Sequence, residues 1–160
     1  MKGFSLIELL VAITIGGVLL SIAWVRMSTL VPIYQLEGAA RAVAAEIQKV
    51  RGRAIAENKC FMVSFDTSAK TYLVQSKTGA PTCGTASYTT DSSEPSAQKI
   101  DPNGGIQIDN GSGGAPTNAV LNPRGNPESV SNAYPVIRLT NSAGATRTVF
   151  VQSTGRVNVQ

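Results

Sequence analysis

Phe4–Val25 reads FSLIELLVAITIGGVLLSIAWV, an apolar run broken by one charge, Glu8. As a helix it extends about 33 Å, enough to cross roughly 30 Å of hydrocarbon. Outward from this run the composition changes: the remainder is rich in Ser, Thr, Asn, Gly and Ala. With 160 residues, the chain has room for one domain and an appendage. Hydrophobic residues are 42% and charged residues 15%, too apolar for a disordered chain and low in charge for an ordinary soluble one. There is no histidine, which removes His-based acid–base catalysis, Ser-His-Asp and Cys-His nucleophile systems and most zinc enzymes. A formal net charge of +4 is compatible with anionic partners without singling one out.

Three readings of the apolar run compete. A secretory signal would use Lys2 as its basic region and Ser21-Ile22-Ala23 as a small-x-small cleavage site. The run is longer than the usual core of such a signal and has a carboxylate inside it. A plain membrane anchor also fits, but Lys2 before the span and Arg26 and Arg41 after it do not fix an orientation. The third reading is a processed filament-subunit helix, which gives the local residues individual tasks.

Lys2-Gly3-Phe4-Ser5-Leu6-Ile7-Glu8 resembles the type IV prepilin cleavage motif: a short basic leader ending in Gly, then Phe, then an apolar run with Glu at the fifth mature position. The resemblance implies that a prepilin peptidase cuts between Gly3 and Phe4 and methylates the new amine of Phe4. It also implies that Glu8 stays in the membrane phase and later meets the Phe4 amine of a neighbouring subunit. A carboxylate deep in a bilayer costs ~2.5–3.5 kcal/mol or more, so an intramembrane Glu reads as functional by default. The bland alternative places Glu8 near the headgroups, favoured by the helix N-terminal dipole. Gly16-Gly17 allows close helix approach or local unwinding. Pro32 predicts a kink near Val31-Pro32.

Beyond Pro32, the apolar positions Leu36, Ala40, Val43, Ile47, Val50 and Ala54 step by fours and threes, one face of a helix ending near Asn58. Joined to the span, this gives a stalk on the order of 80 Å. Phe61–Phe65 and Tyr72–Gln75 flank a polar turn, Asp66 to Lys70, and read as a hairpin. Further strand candidates are Ile106–Ile108, Ala119–Leu121, Val136–Leu139, Thr148–Val151 and Val157–Val159, with Asn141–Gly144 as a turn. The stretch 78–114, rich in Ser, Thr and Gly with Pro81, Pro95 and Pro102, reads as a long surface loop. The expected organisation is a leader at 1–3, a membrane and assembly helix at 4–25, an amphipathic continuation at 26–58 and a β-rich head at 59–160.

Three C-terminal stretches sharpen the resemblance: Leu121-Asn122-Pro123-Arg124-Gly125-Asn126-Pro127, Ile137–Asn141 and Ser153-Thr154-Gly155-Arg156-Val157. With Val50-Arg51-Gly52-Arg53-Ala54-Ile55-Ala56 they are similar to the GspH/FimT group of minor pilins and pseudopilins. The implied fold is α+β, a long N-terminal helix packed on an antiparallel sheet. The implied partners are other pilin or pseudopilin subunits, the prepilin peptidase and the inner membrane, with a periplasmic head before assembly and a surface or periplasmic filament after it.

Cys60 and Cys83 are the only cysteines. In an exported domain an even pair reads as a disulfide, the alternative being two free thiols. The C-terminal third holds Arg124, Arg138, Arg147 and Arg156 against Glu128 alone. That is a candidate phosphate-binding set, and some FimT-like pilins bind DNA through a "GRxR"-type end. Here Gly155-Arg156-Val157-Asn158 lacks the second Arg, and solvated Arg on a β surface is the plainer reading. Asp101–Gly105 and Asp109-Asn110-Gly111 faintly resemble a calcium loop without its spacing, and turn chemistry explains them as well. Nothing in the sequence suggests an enzyme, a metal or a cofactor.

Overall fold

The computed structural model describes residues 5–77, 83–84, 87–128 and 134–160. The cleavage site expected at Gly3 and Phe4 lies outside them.

One helix, α1 (Leu6–Glu57), carries the chain for 52 residues, about 78 Å. Pro32 lies inside it. Leu36, Ala40, Val43, Ile47, Val50 and Ala54, the six positions of the predicted apolar face, are all buried. The helix stops at Asn58, which takes the left-handed conformation (φ 51°); Asn is among the few side chains that tolerate it.

Ten strands follow among the described residues: β1 (Cys60–Asp66), β2 (Thr71–Lys77), β3 (Thr89–Thr90), β4 (Gln98–Lys99), β5 (Gln107–Asp109), β6 (Ala119–Leu121), β7 (Pro127–Glu128), β8 (Val136–Thr140), β9 (Thr146–Val151) and β10 (Val157–Val159). They form two antiparallel sheets. The first runs β3-β2-β1-β6-β7, with β4 also pairing with β2; the second runs β10-β9-β8-β5. The β1–β2 hairpin pairs Cys60 with Lys77 through to Asp66 with Thr71. Its turn is closed by the Asp66 carboxylate, which accepts from the Ser68 and Ala69 amides at 2.8 and 2.9 Å. The core gathers the inner face of α1 with Phe61, Val63, Leu121, Ile137, Leu139, Val149 and Val151. The fold is the expected α+β arrangement, a long helix on antiparallel sheets.

Side chains alternate across β1. Phe61 and Val63 enter the helix-side core, while Cys60 and Met62 join a small outer cluster with Cys83 and Val120. Cys60 and Cys83 are bridged, their Cα atoms 5.5 Å apart. Closing that 24-residue loop stabilises the fold by about 3 kcal/mol on the chain-entropy account. Tyr88 packs against the cluster and donates its hydroxyl to the Cys83 carbonyl at 3.3 Å. Burial, with Glu128 nearby, pushes its phenol up to about 12.

The stretch read as one long surface loop, 78–114, is more ordered than that where it is described. It holds β3, β4 and β5, and it buries Asp91, Ile100, Asp101, Ile106 and Ile108. Two-residue strands such as β3, β4 and β7 leave no periodicity to read. They are fixed by their partners: Gln75 with Thr90 and Thr71 with Lys99 across longer stretches of chain, and Leu121 with Pro127 across a tight hairpin turn.

Candidate functional site

The N-terminal half of α1 stands bare. Leu6–Trp24 has a mean hydropathy of 2.4, and none of it is buried by the rest of the chain. The apolar surface continues past the span through Met27, Leu30, Val31, Ile33 and Tyr34, all exposed. Only from Leu36 onward does the head cover the helix. Glu8 lies in the first turn and is exposed, its amide bonded to the Ser5 carbonyl at 3.0 Å. A carboxylate there is well placed for the helix dipole. In a membrane or a bundle of helices, however, it would need a cationic partner from outside the chain.

The four arginines of the C-terminal third do not form one patch. Arg138 is held by Asp109, Nε to Oδ1 at 3.0 Å and Nη2 to Oδ2 at 3.2 Å. Arg147 donates to Glu37 on α1, Nε to Oε2 at 2.8 Å. Arg147 first, and Arg41 second, hold the Glu37 carboxyl below its ordinary range. Arg124 and Arg156 are exposed, and neither has a carboxylate partner among the described residues. These two lie on the turns that the sequence marked, and the structure shows why the turns belong together.

Three hairpin turns, 122–126, 141–145 and 152–156, share one design. In each, the first residue pairs with the fifth and accepts from the fourth, a glycine. The glycines, Gly125, Gly144 and Gly155, have φ of 77, 80 and 77°, as a three-residue hairpin loop with a glycine bulge requires. The β6–β7 and β9–β10 turns meet over α1. Arg51 donates from Nε to the Gly125 carbonyl at 2.8 Å and from Nη2 to the Thr154 carbonyl at 3.3 Å. This one helical side chain ties the two sheets together. Sequence reading gave Arg51 no role, although a charged residue at the margin of the buried helix face was the available signal. The result is three arginines at the end of the head far from the span, two without a carboxylate partner among the described residues and one bonded to carbonyls.

Elsewhere ion pairs strap the 89–99 segment to the helix. Arg53 donates to Asp91 at 2.6 Å and Lys49 to both Glu46, at 3.2 Å, and Glu94. Arg53 also lies over the Phe61 ring at 4.6 Å. The Arg53 guanidinium holds the buried Asp91 carboxyl below its ordinary range. A lowered carboxyl contributes stability that is present above its unfolded value, about 3.9, and is lost as pH falls through the folded value. Glu46 acts in the opposite sense, because burial raises it: its contribution is present below its unfolded value and is lost as pH rises through the folded one. Melting of the head should therefore drop steeply in the acid range below the usual carboxylate values. Asp91→Asn should lower the neutral-pH melting temperature and flatten that acid limb; an unchanged acid limb would remove Asp91 as its source.

The calcium-like stretches are turns. The Asp101 carboxylate accepts from the amides of Asn103, Gly105 and Ile106 at 2.7–3.2 Å, and Asp109 is taken by Arg138. Among the described residues no group of His, Cys, Asp and Glu is set to hold a metal.

Residues 1–24 match the family described as the prokaryotic N-terminal methylation motif. That motif is continued by a bare helix that enters a two-sheet head, a pilin-like α+β fold. The fold is shared with the minor pseudopilin EpsH from the Type 2 Secretion System of Vibrio cholerae, at 11% identity and a TM-score of 0.56, over 79% of this chain and 96% of that one. It is shared also with the type IV minor pilin FimU of Pseudomonas aeruginosa, at 14% identity and a TM-score of 0.56, over 79% of this chain and 89% of that one. No curated protein sequence matches the chain.

Proposed function

We propose that this chain is a minor pilin or pseudopilin, stored in the inner membrane by its apolar helix half and drawn into a type IV pilus, where it primes assembly or sits near the tip. The observation that carries this is the 52-residue helix: from Leu36 on, one face packs on the head, while the N-terminal half is bare and begins at the methylation motif. A soluble protein with such a helix would leave a large apolar surface in water. In this reading the peptidase cuts between Gly3 and Phe4, Phe4 is methylated, and Glu8 pairs with the Phe4 amine of a neighbour to set axial register. The partners are other pilin or pseudopilin subunits, and the head faces the periplasm until assembly. A pseudopilin of a type II secretion machine is the same molecule in physical terms. The test is the location of the chain when its secretion or pilus operon is expressed. Recovery in the sheared or cross-linked filament fraction with the other subunits supports the reading, and confinement to soluble periplasm contradicts it.

A second reading, a DNA receptor for uptake, is favoured by Arg124 and Arg156, free on adjoining turns above Arg51. The pairing of Arg138 and Arg147 narrows the candidate set to those two. Binding of duplex DNA by the head, residues 28–160, should then weaken with salt with a log–log slope near −2, about −0.9 per phosphate contacted. It should vanish in Arg124→Ala/Arg156→Ala. No binding at low salt removes this reading.

A further inference from the structure

The junction between the bare and the covered helix is closed by a side chain from the head. Asn141, buried at 6% exposure in the β8–β9 turn, uses both ends of its amide. Its Oδ1 accepts from the Ala143 and Ala145 amides at 3.0 and 2.9 Å, which builds the turn. Its Nδ2 reaches back 109 residues to donate to the Pro32 carbonyl at 3.2 Å. Pro32 is the one proline inside α1. It has no amide hydrogen, so the helix lacks one rung there and yields more readily to bending. The next hold lies one turn on, where Arg147 of β9 grips Glu37. The first residue packed into the core, Leu36, lies between the two.

We infer that the β8–β9 hairpin is a clasp, with Asn141 as its positioning residue. It fixes the head to the helix at the proline, so that force on the membrane half passes into the second sheet and does not peel α1 away from Leu36 onward. A helix anchored in a membrane at one end and packed into a head at the other bends first at its missing rung. The clasp closes one turn before the core begins. The choice of Asn follows from the geometry: the turn takes an acceptor, and the Pro32 carbonyl, which has a second lone pair beyond its helical bond, takes a donor. Asp would keep the first and set a carboxylate against the second.

The test uses the full chain in lipid nanodiscs and reads amide hydrogen exchange residue by residue. This measurement is independent of filament assembly, so it can fail while the pilin reading stands, and the reverse. Asn141→Asp should speed exchange of the amides from Ile33 to Glu37 about tenfold, as for a lost part-buried hydrogen bond. Amides from Val43 to Ala54 should stay within about twofold of wild type. Restoring the rung with Pro32→Ala should reduce the effect of Asn141→Asp at 33–37 by at least half. Should Asn141→Asp perturb the turn itself, Asn141→Gln, which keeps a donor on a longer arm, gives a second reading: exchange at 33–37 nearer to wild type than in the Asp variant supports the clasp. Unchanged exchange at 33–37, or acceleration spread evenly over the head, overturns it.

Discussion

Gly155→Ala is expected to cost the head on the order of 3 kcal/mol or more, a large share of a typical stability of about 5–15 kcal/mol. Two costs add. Gly155 has φ of 77°, a left-handed conformation that costs an L-residue roughly 1–2 kcal/mol. The added methyl would also overlap the Gly125 carbonyl and lie 2.7 Å from the Arg51 Nε. The first obstacle is backbone of the other sheet and the second is the side chain that ties the sheets, so neither can move aside without opening the contact. Gly144→Ala provides the control. It has the same turn design and a φ of 80° but nothing within 4 Å, so only the conformational cost applies. Chemical denaturation of the two variants should separate them by at least ~1.5 kcal/mol, the combined overpacking cost being about 1–3 kcal/mol. Equal stabilities would contradict the keyed contact between the turns.

Glu8→Ala is expected to leave membrane insertion intact and to lower incorporation into filaments by tenfold or more. Removing the carboxylate takes away a penalty of ~2.5–3.5 kcal/mol in the bilayer, so the variant should sit in the membrane at least as well as the native chain. On the proposed register role it loses the polar partner for a neighbour's amine, and in a bundle of apolar helices little else sets the axial register. Glu8→Gln separates charge from hydrogen bonding: if the ion pair is what matters, it should resemble Glu8→Ala. Normal incorporation of both variants would remove the register role and leave Glu8 as a residue favoured only by the helix dipole.

Much of this architecture was legible because it rests on periodicity. The six buried positions of α1 were readable from their four–three spacing, and the 141–144 turn from its Asn, Ser and Gly. The hairpin of β1 and β2 and the strands β6, β8, β9 and β10 carry runs of β-branched and aromatic residues. β5 was marked by Ile106–Ile108, but the two-residue strands β3 and β4 carry no such pattern, so the rest of 78–114 reads as loop. The candidate site was less legible. Four arginines close in sequence suggested one surface, yet Asp109 and Glu37, one of them on the helix, take two of them. Arg51 and Asn141 hold the molecule together through carbonyl groups 74 and 109 residues away. Bonds to backbone carbonyls leave no complementary residue in the sequence to find.

The central claim is that the apolar helix is kept in the mature protein and begins at Phe4. Mass spectrometry of the intact chain purified from its native membrane tests this most directly. The account predicts a polypeptide lacking the first three residues and carrying one methyl group on the Phe4 amine. A mature chain beginning at Trp24, cut after Ser21-Ile22-Ala23 as a secretory signal would be, would contradict it, since no helix would remain for subunits to share.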